Sequence, residues 1–490
     1  MFKLWRVGAK SKEKGNIKVV GPLTSCKIEE ILGKSSDVIV KEVYTGNKNI
    51  KIKVIAIDGM IDSSVIDETI LKPLTMGQKF KEAKSEEEVY EIVKKGFLYH
   101  LSQEEINSLQ DAITNILKGI TIVVFDNIKK AIAFDAKSIP QRSIQPSEDE
   151  NVLKGAKDAF IENIRTNTAL IRKKIKSPEL RFENFTAGSE TNTPINIVYL
   201  KNVADEDVLD KVRKRIGELN TSNLLSVEDF ECNIRDNKYS IFPQLQYTER
   251  VDKFCANIID GKIGVIIDGL PVAYIIPGVF AMFFQAPEDY SGNYILSSFL
   301  RIIRYLCFGI SLILPAFYVA ITTFHHEMIP TNLLRSIIDS KEGVPFVALV
   351  EVLGLLLAFE LLLEASLHLP KSIGSTISII GALVVGEAAV NAKFISPAVV
   401  VIIALTGVAG FVITNQELSN ATRICRFVMV FVAGVSGLFG ISFMILIIFA
   451  YLCKLETFGV PYLTPFAGNE GKYILKDTLI RAPSDLEKRK

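Results

Sequence analysis

Residues 344–366 read VPFVALVEVLGLLLAFELLLEAS. The run is long and apolar enough for an α-helix to cross the ~30 Å hydrocarbon core of a bilayer. It nevertheless carries three glutamates, Glu351, Glu360 and Glu364. Working outward, the neighbouring sequence has the same character. From Leu296 to Cys453 about one residue in ten is charged; elsewhere it is nearly three in ten, a usual share for a globular chain. The 490-residue chain therefore divides into a polar half and an apolar half.

Five segments of the apolar half are candidate spans: Ser297–Phe324, Val344–Ser366, Gly374–Asn391, Pro397–Thr414 and Arg426–Cys453. Leu270–Phe284 is a sixth candidate. It is short and interrupted by Pro271, Pro277 and Gly278, so a re-entrant or interfacial segment fits as well as a span. Six crossings return the basic tail (Lys472, Lys476, Arg481, Lys488, Arg489, Lys490) to the side of the polar half, as positive charge near the cytoplasm prefers. Gly434, Gly437 and Gly440 share one helical face, as do Gly407 and Gly410. Small residues at this spacing let helices approach closely, and bundle packing is the expectation.

Charge inside a span is costly unless paired or hydrated, so each such residue needs an explanation. Glu360 and Glu364 are one turn apart. Thr376, Ile380, Leu383, Glu387 and Asn391 form a stripe that is polar at both ends and apolar between. In a ring of identical helices that stripe makes a cation-attracting mouth and a constriction. A Glu387 buried within one protomer is the other reading of the residues.

The polar half alternates strand and helix. Ile50–Ile57, Ile120–Phe125 and Ala131–Phe134 read as strands, the last two around an Asp126-Asn127 turn. Ser63–Leu71 and Glu86–Lys95 read as helices. After the polar link Pro140–Glu150, which ends in a capping-box pattern at Ser147–Glu150, a long helix is expected through Leu153, Phe160, Ile164, Ile171 and Ile175. Its opposite face carries Arg165, Arg172, Lys173 and Lys174, which reads first as a solvated face. Strands follow at Leu180–Phe185, Ile195–Lys201 and Ile263–Ile267, with helices at Asp205–Leu219 and Arg250–Ile259. Two matching endings, IAIDG at 55–59 and VIIDG at 265–269, hint weakly at two similar units.

The expected organisation is a basic arm (1–26), two α/β subdomains (27–139 and 147–269) and a re-entrant or interfacial linker (270–295). A polytopic α-helical membrane domain of five or six spans (296–453) and a polar tail (454–490) complete it. A net charge of +1 gives no argument for nucleic acid. The six cysteines lie far apart, with no zinc-type spacing, and suit a reducing compartment. No phosphate loop, dinucleotide fingerprint or HExxH motif occurs, so neither a cofactor nor a metal nor catalysis is expected. His325-His326-Glu327 reads as an interfacial turn. The N-terminus lacks a signal-type apolar core, so the polar half is expected to stay in the cytoplasm.

Asn163-Ile-Arg-Thr-Asn167 through Arg172 to Pro178 resembles a stretch of the A subunits of the GerA family of spore germinant receptors. So do Asp268-Gly269-Leu270-Pro271, Phe283-Phe284-Gln285-Ala-Pro287-Glu-Asp289-Tyr290 and Phe359-Glu360 through Glu364 to Pro370. Val385-Gly386-Glu387 to Val390, Ser396-Pro397, Arg423-Ile-Cys-Arg426-Phe427 and Phe458-Gly-Val-Pro-Tyr462-Leu-Thr-Pro465 extend the resemblance in order over residues 25–466. There are departures. Gly155-Ala156 and Ala159-Phe160 stand where Gly-Pro and Gly-Phe are usual, Leu363 where a basic residue is common, and Glu387 where Gln is common.

The resemblance implies an integral subunit of the inner membrane of a bacterial endospore. It implies a transporter-like B subunit and a lipoprotein C subunit as partners, nutrient sensing, and a homo-oligomeric cation channel in the bilayer. On that implication Thr376, Ile380, Leu383 and Glu387 line the pore, while Glu351, Glu360 and Glu364 are structural or gating charges. Three alternatives stand beside it. One is an accessory paralogue of the stage V sporulation AF type; another is a secondary transporter using the three glutamates; the third is a scaffold for the other subunits.

Overall fold

The computed structural model describes residues 21–33, 35–45, 50–138, 155–219, 221, 223–368, 386–466 and 477–481. The β-branched run Lys51–Ile57 forms β2, flanked by β1 (Val38–Tyr44). With β3 (Gln103–Ile106), β4 (Thr121–Phe125) and β5 (Lys130–Phe134) it makes an antiparallel sheet of order β1-β2-β4-β5-β3. Alternation along β2 sends Val54 and Ala56 to one core and Ile55 and Ile57 to another. The first core is closed by α2 (Ser63–Ile66), a π-helical turn at Asp67–Leu71, α3 (Lys72–Met76), α4 (Gln78–Glu82) and α5 (Glu86–Lys94). The second is closed by α1 (Ser25–Leu32) and α6 (Leu109–Leu117).

The second unit repeats this plan. α7 (Ile164–Lys174) precedes β6 (Leu180–Ala187) and β7 (Thr193–Leu200). α8 (Glu206–Gly217) and α9 (Val227–Ile234) lead to β8 (Gln246–Thr248), α10 (Val251–Ile259), β9 (Ile263–Ile267) and β10 (Ala273–Ile276). The sheet order is β6-β7-β9-β10-β8, the same permutation as in the first unit. One detail strengthens the match. Asp126, after β4, accepts the backbone N–H of Ser25 at 2.6 Å, and Asp268, after β9, accepts that of Ile164 at 3.0 Å. Each aspartate thus caps the first helix of its own unit, where free N–H groups favour a carboxylate. The two Ile-Asp-Gly endings fall on β2 and β9, which are not equivalent strands, so the likeness lies in topology and caps instead.

Three expectations change. Leu270–Phe284 is neither re-entrant nor a span: it supplies β10, fully buried in the second sheet, and a 3-10 turn at Phe280–Phe284. A strand covered on both faces is apolar throughout, which mimics a membrane run. The long helix is shorter than its apolar spacing suggests. It starts after Asn163, whose side chain caps Thr166, while Phe160 is held in extended backbone by Glu249. Arg172 is not solvated. It is 1% exposed, and its guanidinium binds Asp37 at 2.6 and 3.1 Å, tying the two units together.

The apolar half comprises α11 (Tyr294–Thr323), α12 (Thr331–Lys341), α13 (Ala348–His368), a helical segment α14 (386–391), α15 (Pro397–Phe411) and α16 (Gln416–Lys454). Among the described residues two helices, α11 and α16, are long and apolar enough to cross a membrane; α15 is shorter. At 39 residues a straight α16 would run about 58 Å. It instead breaks at Gly437, whose φ of 59° and ψ of −143° no β-carbon tolerates easily. Close helix approach is evident elsewhere: a methyl at Gly407 would lie 2.7 Å from the Phe359 ring.

Candidate functional site

Thr376, Ile380 and Leu383 lie outside the described residues. Glu387 lies in α14 and is exposed, with no partner among the described residues. Glu351 is buried. It accepts the backbone N–H of Ser396, the N-cap of α15, at 2.8 Å, and Lys341 approaches it to 3.6 Å. Glu360 faces Arg423 of α16 at 3.5 Å. Glu364 is exposed one turn farther on. Glu351 and Glu360 are thus ties between neighbouring helices, and Arg423 supplies from across the bundle a cation that Leu363 does not.

A second constellation, built where the two halves meet, was not anticipated from spacing. Arg301 and Arg304 sit one turn apart near the start of α11. Both are buried against Asp289, at 2.9 and 2.7 Å. Arg304 also donates to the carbonyl of Phe284 at 3.1 Å, and Arg301 to the carbonyl and carboxylate of Asp477 at 2.9 and 2.8 Å. The Tyr290 hydroxyl donates to Asp477 at 2.8 Å, and the guanidiniums of Arg301 and Arg481 each lie 5.4 Å from its ring centre. Arg481 donates to the carbonyl of Asp289 at 2.5 Å. Two buried cations, one buried anion and one half-exposed anion thereby lock the turn Pro287–Tyr290 and residues 477–481 onto α11. The signal was present as two arginines entering an apolar run, which obliges acidic partners.

The far end of α16 is held as firmly. Beyond it, Phe458, Gly459 and Val460 turn back into the core of the second sheet. Phe458 donates its N–H to Asp236 and accepts from Lys211 at 3.0 Å, with the Arg215 guanidinium 4.5 Å from its ring centre. Thr457 donates to the carbonyl of Gly278 at 3.0 Å, and Phe280 N–H to that of Tyr462 at 2.8 Å. Beneath the Phe280–Phe284 turn, Lys262 meets Asn257 at 2.6 Å and the Met282 sulfur at 3.0 Å. Burial pulls its ammonium down to about 8. The polar half therefore grips the first turns of α11 and the end of α16. The second unit is thus joined to both helices.

The family model for the Bacillus/Clostridium GerA spore germination protein matches residues 26–490. The chain belongs to this family. Spore germination protein KA of Bacillus subtilis (strain 168) is 36% identical over 96% of this chain and 87% of its own length. Spore germination protein GerLA of Bacillus cereus is 32% identical over 94% and 93%. A relative described as uncharacterized membrane protein YfkQ, also from B. subtilis, is 35% identical over 91% and 86%. The crystal structure of the N-terminal domain of the A subunit of the Bacillus megaterium germinant receptor GerK3 aligns with 25% identity and a TM-score of 0.41, covering 54% of this chain and 99% of that one. Two of the stretches through which this GerA-family sequence resembles germinant-receptor A subunits, Phe283–Tyr290 and Phe458–Pro465, are those that build the joint.

Proposed function

We propose that this chain is the membrane-spanning A subunit of a nutrient germinant receptor and that its copies assemble around a cation pore. Its place is the inner membrane of the spore, with the polar half on the cytoplasmic side. A transporter-like B subunit and a lipoprotein C subunit are its partners. The observation that carries the pore reading is the contrast among the glutamates. Glu351 and Glu360 each face a cation of their own protomer, Lys341 and Arg423, whereas Glu387 is exposed with no partner among the described residues. A carboxylate in an apolar half needs water or a neighbouring copy, and a ring of copies around an aqueous path provides both. Thr376, Ile380 and Leu383 continue its stripe, with Ile380 and Leu383 as the constriction. The pairing of Glu351 and Glu360 weakens the transporter reading, because a transported proton or cation needs those carboxylates free.

In this mechanism the polar half acts as the lever and the joint as its attachment. A signal that shifts the second sheet pulls on Asp289 and Phe458 together, so α11 and α16 turn as a pair around α14. Rotational averaging of the purified particle in detergent tests the assembly. Rotational symmetry with α14 nearest the axis is expected; a monodisperse monomer excludes the ring.

A further inference from the structure

The helix α12, between α11 and α13, has no buried residue. Its sequence, TNLLRSIIDSK, puts Leu333, Leu334, Ile337 and Ile338 on one face and Asn332, Arg335, Ser336 and Asp339 on the other. Leu333 and Ile338 are 54% and 59% exposed, while Leu334 and Ile337 between them are half-buried. Exposed Met328 precedes the helix, and exposed Phe346 and Val347 follow it. So large an apolar surface left bare calls for an occupant.

The contacts of α12 fix where it lies. Lys341, on the apolar face, reaches the buried Glu351 of α13 at 3.6 Å, and its ammonium stands 5.8 Å from the ring centre of Tyr318 on α11. Glu351 in turn accepts the N–H of Ser396 at the start of α15. The Phe346 and Phe394 rings are 6.4 Å apart, and α12 touches α15 directly. The end of α11 is at the break in α16, where a methyl at Gly437 would lie 2.9 Å from the His325 ring. Between Arg304, held in the joint, and His325 the chain carries no charge over about 30 Å of helix, the thickness of a hydrocarbon core. Polar groups return at once with His325, His326 and Glu327. The helix thus lies at the end of the bundle opposite the joint, where lipid chains give way to headgroups. Lys341 turns the apolar face to the bundle, which leaves Leu333 and Ile338 on either flank. A neighbouring copy would meet one flank; lipid meets both. We propose that α12 lies in the headgroup–acyl boundary of the leaflet opposite the polar half, with Leu333 and Ile338 sunk among the lipid chains. Through Lys341 and Glu351 this anchor is fastened to α13 and α15. The placement rests on α11 and α16 being spans, and is independent of the pore.

The test is tryptophan fluorescence of the full chain in nanodiscs of phosphatidylcholine and phosphatidylglycerol. Trp5 is the chain's one tryptophan, so Trp5→Phe gives a dark background. In it, Leu333→Trp and Ile338→Trp are each expected to lose about half their emission when the lipids carry bromine high on their acyl chains, and to resist aqueous iodide. Ser336→Trp, on the polar face, is expected to do the reverse. Phe431→Trp and Phe443→Trp, at exposed positions of α16, report the span itself. If bromine reaches neither of these two, the membrane reading fails and the placement of α12 fails with it. If bromine reaches them but misses either Leu333→Trp or Ile338→Trp, the membrane reading stands and the proposal is overturned. Quenching by iodide then puts the helix in water, and shielding from both quenchers puts a second copy against it.

Discussion

Arg426 donates its Nε–H to the carbonyl oxygen of Ser311 at 2.7 Å. That oxygen is the one Pro315 leaves without a helical donor, since proline has no N–H to return to the residue four positions earlier. A second guanidinium nitrogen donates to the Ser311 hydroxyl. Proline and arginine thus form a unit across α11 and α16, in an environment where an unpaired carbonyl is expensive.

Arg426→Met is expected to destabilise the full chain by about 1–3 kcal/mol, the cost of an orphaned buried acceptor. In a Pro315→Ala background the helix supplies its own donor, so the same substitution costs less. Thermal unfolding of the four variants in detergent measures the coupling; additive effects would separate the two residues.

At the joint, Asp289 neutralises two arginines. Asp289→Ala leaves both buried without it and is expected to cost about 3–5 kcal/mol. Arg304→Met leaves Asp289 paired with Arg301 and is expected to cost less. Limited proteolysis around Pro287–Tyr290 reports the difference, with Asp289→Ala cleaved faster than Arg304→Met.

The Arg172–Asp37 pair holds the two α/β units together, so Arg172→Met strands a buried carboxylate at about 3–5 kcal/mol. Replacing both partners by apolar residues, Arg172→Met with Asp37→Leu, is expected to recover a good part of that loss. Denaturant midpoints of the wild type and the two variants check the order.

Lys262 tests pH dependence. Burial holds its folded pKa at about 8, below the ordinary lysine value of 10.5, so the folded chain binds fewer protons in that interval. The contribution of Lys262 to stability therefore rises with pH between those values and is least favourable below about 8. Lys262→Met is expected to raise the melting temperature near neutral pH and to lose that advantage as pH approaches 10. A gain independent of pH would remove the assigned cause.

Much of the polar half was legible locally. ITIVVF followed by Asp126-Asn127 is a hairpin by composition and turn, and so it folds. β1 was missed because VIVKEVY is an edge strand with Lys41-Glu42 facing solvent, which breaks the apolar pattern. β10 was misread because a strand buried on both faces looks like lipid-soluble sequence. The joint was hidden for a different reason. Asp289, Arg301, Arg304 and Asp477 span nearly two hundred residues, and the partner of Arg172 lies 135 positions away. Local spacing exposes the need for a partner but not its address.

The central claim is a cation pore with its constriction at Ile380 and Leu383. It is tested most directly by potassium efflux from liposomes holding the purified full chain. The wild type should stay closed and Ile380→Ala should leak, with Glu387→Gln in the same background reducing the leak. An Ile380→Ala chain that is folded, assembled and as tight to potassium as the wild type would contradict the claim.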